Sequence, residues 1–190
     1  MNQTTLQNTL APLLAAALIG VSAQLSFPLP GTDIPQTAQT IAVLLCGSLL
    51  GPWRGSLAVV LYLIAGLVGL PVYSDGASGW ATLSGGSAGY FFGFVVAATL
   101  SGVLRRVGGR DRLWLMSLHM VAAHIVILAM GCLWLARNLG IGEAIAVGVT
   151  PFIYGGIVKS VMVALIVLSV SAVRRRVGGR VGSLLGTLTS

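Results

Sequence analysis

Lys159 is the first residue to explain. It stands in VTPFIYGGIVKSVMVALIVL, residues 149–168, the last long apolar run, and the other ten basic residues among the eleven Lys and Arg are all arginine. A charge inside a membrane span costs several kcal/mol and usually faces a cavity, a partner or a ligand. If the helix begins at the N-cap and N1 pair Thr150-Pro151, Lys159 lies about nine residues, ~13 Å, from its outer end. A lysine stem covers about half of that, so snorkelling, the alternative, is strained. The chemistry expected is donation from the ammonium to a carbonyl or carboxylate of a bound molecule.

Gln39, Tyr62, Tyr73, Trp80 and Tyr90 are the other side chains that join an apolar face to a hydrogen bond near the same end. A small-ligand pocket wants that mixture, although Tyr73 and Trp80 fit an interfacial aromatic belt equally well. Other chemistries find less support. Asp33, Asp75, Asp111 and Glu143 all fall in loops or at edges, so no carboxylate relay for a proton-driven antiporter is readable. His119 and His124 lie roughly 140° apart around a helix, which is not an i, i+4 metal pair, and read as core or interface residues. Ser84 and Ser87 raise an intramembrane serine enzyme, but no GxSxG surrounds them and nothing places a base beside them. Cys46 and Cys132 stand singly without CxxC spacing and read as packing residues.

The elements that must position these residues are set by composition. Of 190 residues, 56% are hydrophobic and 8% charged, with a mean hydropathy of +0.95, far from the roughly 25% charged of a soluble domain. The apolar runs are unbroken rather than alternating. That predicts an all-α integral membrane protein, not a barrel. Six spans are drawn at 9–29, 36–50, 53–70, 89–105, 113–136 and 150–173, the last preceded by a short piece at 143–149. The second and third are joined by the tight turn GPWRG. The first run ends in Val21-Ser22-Ala23 before Gln24, like a signal-peptide cleavage site, but no Lys or Arg precedes it, and it is read as a retained span.

A net charge of +7 would suggest nucleic acid in a soluble protein. Here the arginines sit at the ends of apolar runs, and no nucleic-acid partner is expected. Arg54, Arg105, Arg106, Arg110, Arg112, Arg174, Arg175, Arg176 and Arg180 fall on one side and Arg137 on the other, which puts both termini in the cytoplasm. The segment PVYSDGASGWATLSGGSAG, 71–89, then faces outside as an ordered binding loop, together with PLPGTDIPQT. A single domain is expected over 1–190, ending in a basic cytoplasmic tail at 174–190, read as an anchor followed by a loose end. In the first span, Ala11 and Ala15 lie four apart and make a flat stripe for another helix, inside this chain or in a second subunit.

Three blocks carry a family resemblance: IPQTAQTIAVLLCGSLLGPWRGSLAVVLYLIAGLVGLPVYSDG at 34–76, LSGGSAGYFFGF at 83–94 and VGVTPFIYGGIVK at 147–159. In this order they resemble the BioY family, the biotin-binding S components of energy-coupling-factor vitamin transporters. The resemblance implies a six-helix subunit of the cell membrane that captures biotin from outside. A transmembrane T component and cytoplasmic ATPases would drive its delivery, for this chain has no P-loop. It further implies that Gln39 and Tyr62 lie near the ligand cavity, that 73–90, with Tyr73, Trp80, Ser87 and Tyr90, forms the outer binding loops, and that Lys159 ends a GDxxK-like motif. Ala11 and Ala15 would lie on the surface that engages the T component. No cofactor, metal or catalytic residue is implied.

Two departures stand out. The resemblance expects an aspartate at Gly156, an acid that would accept from a ureido N–H and balance the lysine; here the sequence is YGGIVK. Another group, Gln39 or a backbone carbonyl, takes its place, or the ligand brings the negative charge, or the substrate is a different small vitamin-like molecule. The second is GGS at 85–87, which keeps a hydroxyl at Ser87.

Overall fold

The computed structural model describes the backbone of residues 3–107 and 112–188, with side chains over 8–107 and 112–177. Arg110 and Asp111 lie outside the described residues, and Arg180 outside the described side chains. The elements are α1 (Gln3–Ala23), β1 (Ser26–Leu29), β2 (Thr32–Thr37), α2 (Gln39–Leu50), α3 (Pro52–Leu67), α4 (Gly79–Ser84), α5 (Ala88–Val107), α6 (Leu113–Leu139), α7 (Ile141–Gly148) and α8 (Ile153–Leu188).

The all-α expectation needs one amendment. The first span, drawn to residue 29, ends at Ala23, and the chain goes on into an antiparallel hairpin pairing Ser26 with Thr37 and Leu29 with Thr32. SFPLPGTDIPQT is apolar on average but carries three prolines, which cannot continue a helix interior and are tolerated on edge strands. The last span is also longer than drawn. α8 continues to Leu188, so the described backbone of the basic tail is helical rather than loose. Thr150 does not cap it: residues 150–152 form a 3-10 turn, and the Thr150 hydroxyl donates back to the Ile145 carbonyl at 3.1 Å.

Among the described residues, Ala88–Val107, Leu113–Leu139 and the stretch Ile141–Val177 are long and apolar enough to cross a membrane; Asn8–Ala23, Gln39–Leu50 and Pro52–Leu67 are shorter apolar helices. α2 and α3 meet at the single residue Gly51, whose φ of +89° disfavours any side chain, with Pro52 opening the next helix. α5 is the central element, packed on α2, α3 and α6, while α8 lies against α6 and α2. The core is buried apolar surface from all these helices, including Val43, Leu44, Val59, Ala97, Met120 and Val163. The opposite faces expose large apolar residues such as Leu14, Phe92, Ile125 and Leu165, as expected of helices bathed in lipid.

Arg105, Arg106 and Arg174 gather in one cleft beside Ser48 and Leu49, and the Arg105 guanidinium donates to the Ser171 hydroxyl at 2.7 Å. Arg54 donates to Asn8 at the same end. The hairpin, α4 and the start of α8 form the other end. The first helix is part of the core rather than an outlier: Ile19 and Ala23 are fully buried, and α1 packs along α3 and α2.

Candidate functional site

At the end opposite the arginine cleft, a cavity of about 60 Å³ is enclosed by β2, α2, the 71–89 segment, α5, α6 and α8. Gln39, Ser87, Tyr90 and Lys159 line it together. They come from three separate stretches of chain, so the fold assembles what the sequence scatters. Lys159 is half-buried, and its ammonium donates to the Thr37 carbonyl at 2.7 Å. That carbonyl belongs to the last residue of β2.

The wall is aromatic. Phe91, Phe94 and Phe152 line the cavity with Tyr90. Tyr90 donates its hydroxyl to the Gly148 carbonyl at 2.6 Å and lies 6.2 Å from the Phe152 ring. Tyr62 and Tyr73, expected to reach the ligand, do not line the cavity. They stand one layer behind it: Tyr73 is 5.0 Å from Phe91 and 5.6 Å edge-on from Tyr62, and both tyrosines are almost wholly buried. Trp80 must be moved further. It is 68% exposed on α4 and outside the cavity, because that short helix turns its large residue outward.

The segment over the cavity is fastened rather than loose. Tyr73 donates to the Leu63 carbonyl at 2.7 Å, and its ring fills the space that a side chain at Gly66 would need. Burial holds the Tyr73 hydroxyl above the usual phenol range, so it remains a donor. Gln24, at the top of α1, reaches the Tyr73 carbonyl with its Nε2 at 2.9 Å and takes the Gly76 N–H on its Oε1 at 3.0 Å. Asp75, the one described non-glycine with positive φ, accepts from the Ser26 hydroxyl of β1. At the far end Trp134 Nε1 donates to the Gly85 carbonyl at 2.9 Å. Ser74 and Ser87 are the residues of this segment that reach the cavity.

Gln36, Thr40 and His124, which the sequence did not mark as ligand groups, also line it. Two of them explain the double glycine of YGGIVK. The Gln36 side chain lies where a Cβ on Gly155 would stand, and the His124 ring lies against Gly156, with Cδ2 and Nε2 3.1 and 3.2 Å from an added Cβ. A signal for His124 was present, since a histidine in an apolar run is a polar cost, but periodicity alone could not show which helix face meets α8.

Buried polar atoms normally find partners. Those without one among the described residues are Gln39 Nε2, Thr40 Oγ1, Tyr62 Oη, His119 Nδ1 and His124 Nδ1. Three of the five belong to cavity-lining residues. The arrangement offers donors and acceptors around an apolar aromatic slot. That suits a small ligand with polar ends and an apolar middle. No cluster of His, Cys, Asp or Glu among the described residues could hold a metal, and Cys46 and Cys132 are free and buried.

Ala15, expected on a partner-facing stripe, is buried at 8% exposure against α2, where its carbonyl accepts a long contact from Cys46 Sγ at 3.9 Å. Ala11 is half-buried. The outward face of α1 carries Leu10, Leu14, Leu18 and Val21 instead.

The chain is similar to several known proteins. A protein of Pyrococcus horikoshii, described as a probable biotin transporter BioY, is 37% identical over 80% of this chain and 89% of its own length. A biotin transporter BioY of Rhodobacter capsulatus is 31% identical over 87% of this chain and 93% of that one. The solved S-component for biotin from an ECF-type ABC transporter superposes with a TM-score of 0.80 at 23% identity, covering 90% of this chain and 94% of the other, which shows a shared fold. The BioY family model matches residues 1–176. With that match and relatives of this identity along most of its length, the chain belongs to the BioY family, a family of membrane transporters.

Proposed function

We propose that this chain is the substrate-binding subunit of an energy-coupling-factor transporter and captures biotin from the outer face of the cytoplasmic membrane. The observation that carries the reading is the cavity beneath the 71–89 segment, where Lys159 meets an aromatic wall and a set of unpartnered polar atoms in a chain of the BioY family. Biotin joins a polar ureido ring to an apolar bicycle and an aliphatic carboxylate, and the site supplies matching groups: hydrogen-bonding residues around an aromatic slot. The relatives named above, described as biotin transporters, support the same ligand.

The reading takes the chain as one domain with six spans, both termini cytoplasmic, in the plasma membrane. Arginine placement favours this orientation, and the cavity's position at the arginine-poor end accords with entry from outside. Capture needs only this subunit. Transport against a gradient needs a motor that changes its orientation or affinity, so a T component and ATPase subunits are the expected partners, and the chain is read as a carrier rather than an enzyme.

The cavity of about 60 Å³ is smaller than the roughly 300 Å³ or more of most ligand pockets, so seating biotin there requires its lining to open further. Titration of purified protein with biotin, desthiobiotin and a vitamin panel tests the proposal. Saturable micromolar or tighter binding of biotin supports it. No heat or fluorescence change with biotin, alongside binding of another vitamin, replaces the ligand while keeping the fold.

A further inference from the structure

We infer that His124 is a ligand-recognition residue of this cavity, and that its imidazole supplies the ureido N–H acceptor for which Gly156 has no side chain. This rests on the biotin reading above. Four observations converge on it. His124 lines the cavity together with Lys159. It is 5% exposed. Its Nδ1 is buried without a partner among the described residues. And the ring packs edge-on against Gly156, occupying the space into which a side chain at that position would grow.

The geometry gives the two ring edges different tasks. Cδ2 and Nε2 face Gly156, and Nδ1, across the ring from Cδ2, points the other way. Gly156 lines the apolar groove of about 580 Å³ that runs between α6 and α8 on the outer surface, and His124 borders both that groove and the cavity. The imidazole is therefore part of the wall between them, with one edge closing the gap left by glycine and the other carrying an unused polar atom. A neutral imidazole accepts at one nitrogen and donates at the other. An acceptor here meets a ureido N–H, while the neighbouring Lys159 ammonium is a donor suited to the ureido oxygen. The Thr37 carbonyl supplies one acceptor to the Lys159 ammonium, so part of its hydrogen-bonding demand is met with glycine at 156.

A site built around a polar contact rejects strongly when that contact is left unpaired, so the effect should be large. His124→Phe keeps an aromatic ring against Gly156 and removes the nitrogen; biotin affinity is expected to fall at least tenfold. His124→Asn, whose amide can stand near Nδ1, is expected to stay within about threefold of the native protein. Gly156→Asp alone collides with the ring and weakens binding, whereas Gly156→Asp with His124→Ala gives the carboxylate room and recovers it. A His124→Phe protein that binds as tightly as native, or a His124→Asn protein that falls as far as His124→Phe, overturns the inference and leaves the biotin reading intact. Native protein that does not bind biotin overturns both. Because the chain has two histidines, ¹⁵N-histidine spectra of untagged His119→Gln protein report on His124 alone and do not depend on a damaged site. A ring-nitrogen shift on adding biotin is expected, and an unchanged spectrum at saturation overturns the assignment.

Discussion

The Lys159 ammonium donates to the Thr37 carbonyl at 2.7 Å, joining the last helix to the end of the hairpin across 122 residues of chain. The contact explains how a cation is kept in an apolar helix without a neighbouring acid. It also places the ammonium at the edge of the cavity, free to exchange a backbone carbonyl for a ligand oxygen. Replacing Lys159 by Ala should weaken biotin affinity at least tenfold with expression intact, measured by titration calorimetry. An unchanged Kd would make the lysine a tie for the hairpin and nothing more.

Ala15 gives a second prediction. It is buried against α2, and adding bulk to a packed position typically costs 1–3 kcal/mol. Ala15→Leu should therefore lower thermal stability and ligand binding together, in the subunit by itself. Leu14→Ala, on the exposed face at 71%, should leave both unchanged and reduce only co-purification with a T component. If Ala15→Leu melts like native protein and loses only its partner, the burial argument fails.

Gly66 and Tyr73 form a lock whose halves predict different losses. A Cβ at Gly66 would stand 2.1 Å from the Tyr73 ring, so Gly66→Ala must displace the ring and should cost more than Tyr73→Phe. The phenylalanine keeps the packing and gives up one hydrogen bond to Leu63, about 1 kcal/mol. Thermal melts of the two variants check the order, and equal melting temperatures would contradict it.

Trp134 holds the other end of the covering segment through Gly85. Trp134→Phe retains an aromatic ring beside Phe92 and Arg137 but releases that carbonyl. Biotin should dissociate several-fold faster while the equilibrium melting temperature changes little, a difference that stopped-flow displacement resolves.

The class of fold was legible because lipid imposes a strong filter: backbone groups must pair within helices, and unbroken apolar runs betray them. The edges drawn at 50 and 113 coincide with the end of α2 and the start of α6, and the span drawn from 53 starts one residue earlier, at Pro52. The hairpin was missed, since SFPLPGTDIPQT continues the apolar trend while its prolines argue for strand edges. Lys159, Gln39 and Tyr90 stand out because each is a polar or amphipathic residue in an apolar run, and Ser87 through the family resemblance; all four line one cavity. Their gathering around one cavity is a fact of helix rotation, which a single sequence does not encode plainly. For the same reason the sequence does not show that Trp80 faces outward or that Tyr62 and Tyr73 stand behind Phe91.

Gln24 has a mechanical consequence. Sitting at the top of α1, it grips the stretch from Tyr73 to Gly76 by both ends of its amide, while the lower part of α1 presents a leucine-rich flank outward. A neighbour that leans on that flank and tips the helix would pull the guest's cover as a rod moves a latch. On the proposed reading, loading and unloading would then answer to a push at the far end of the helix without any contact to the guest itself.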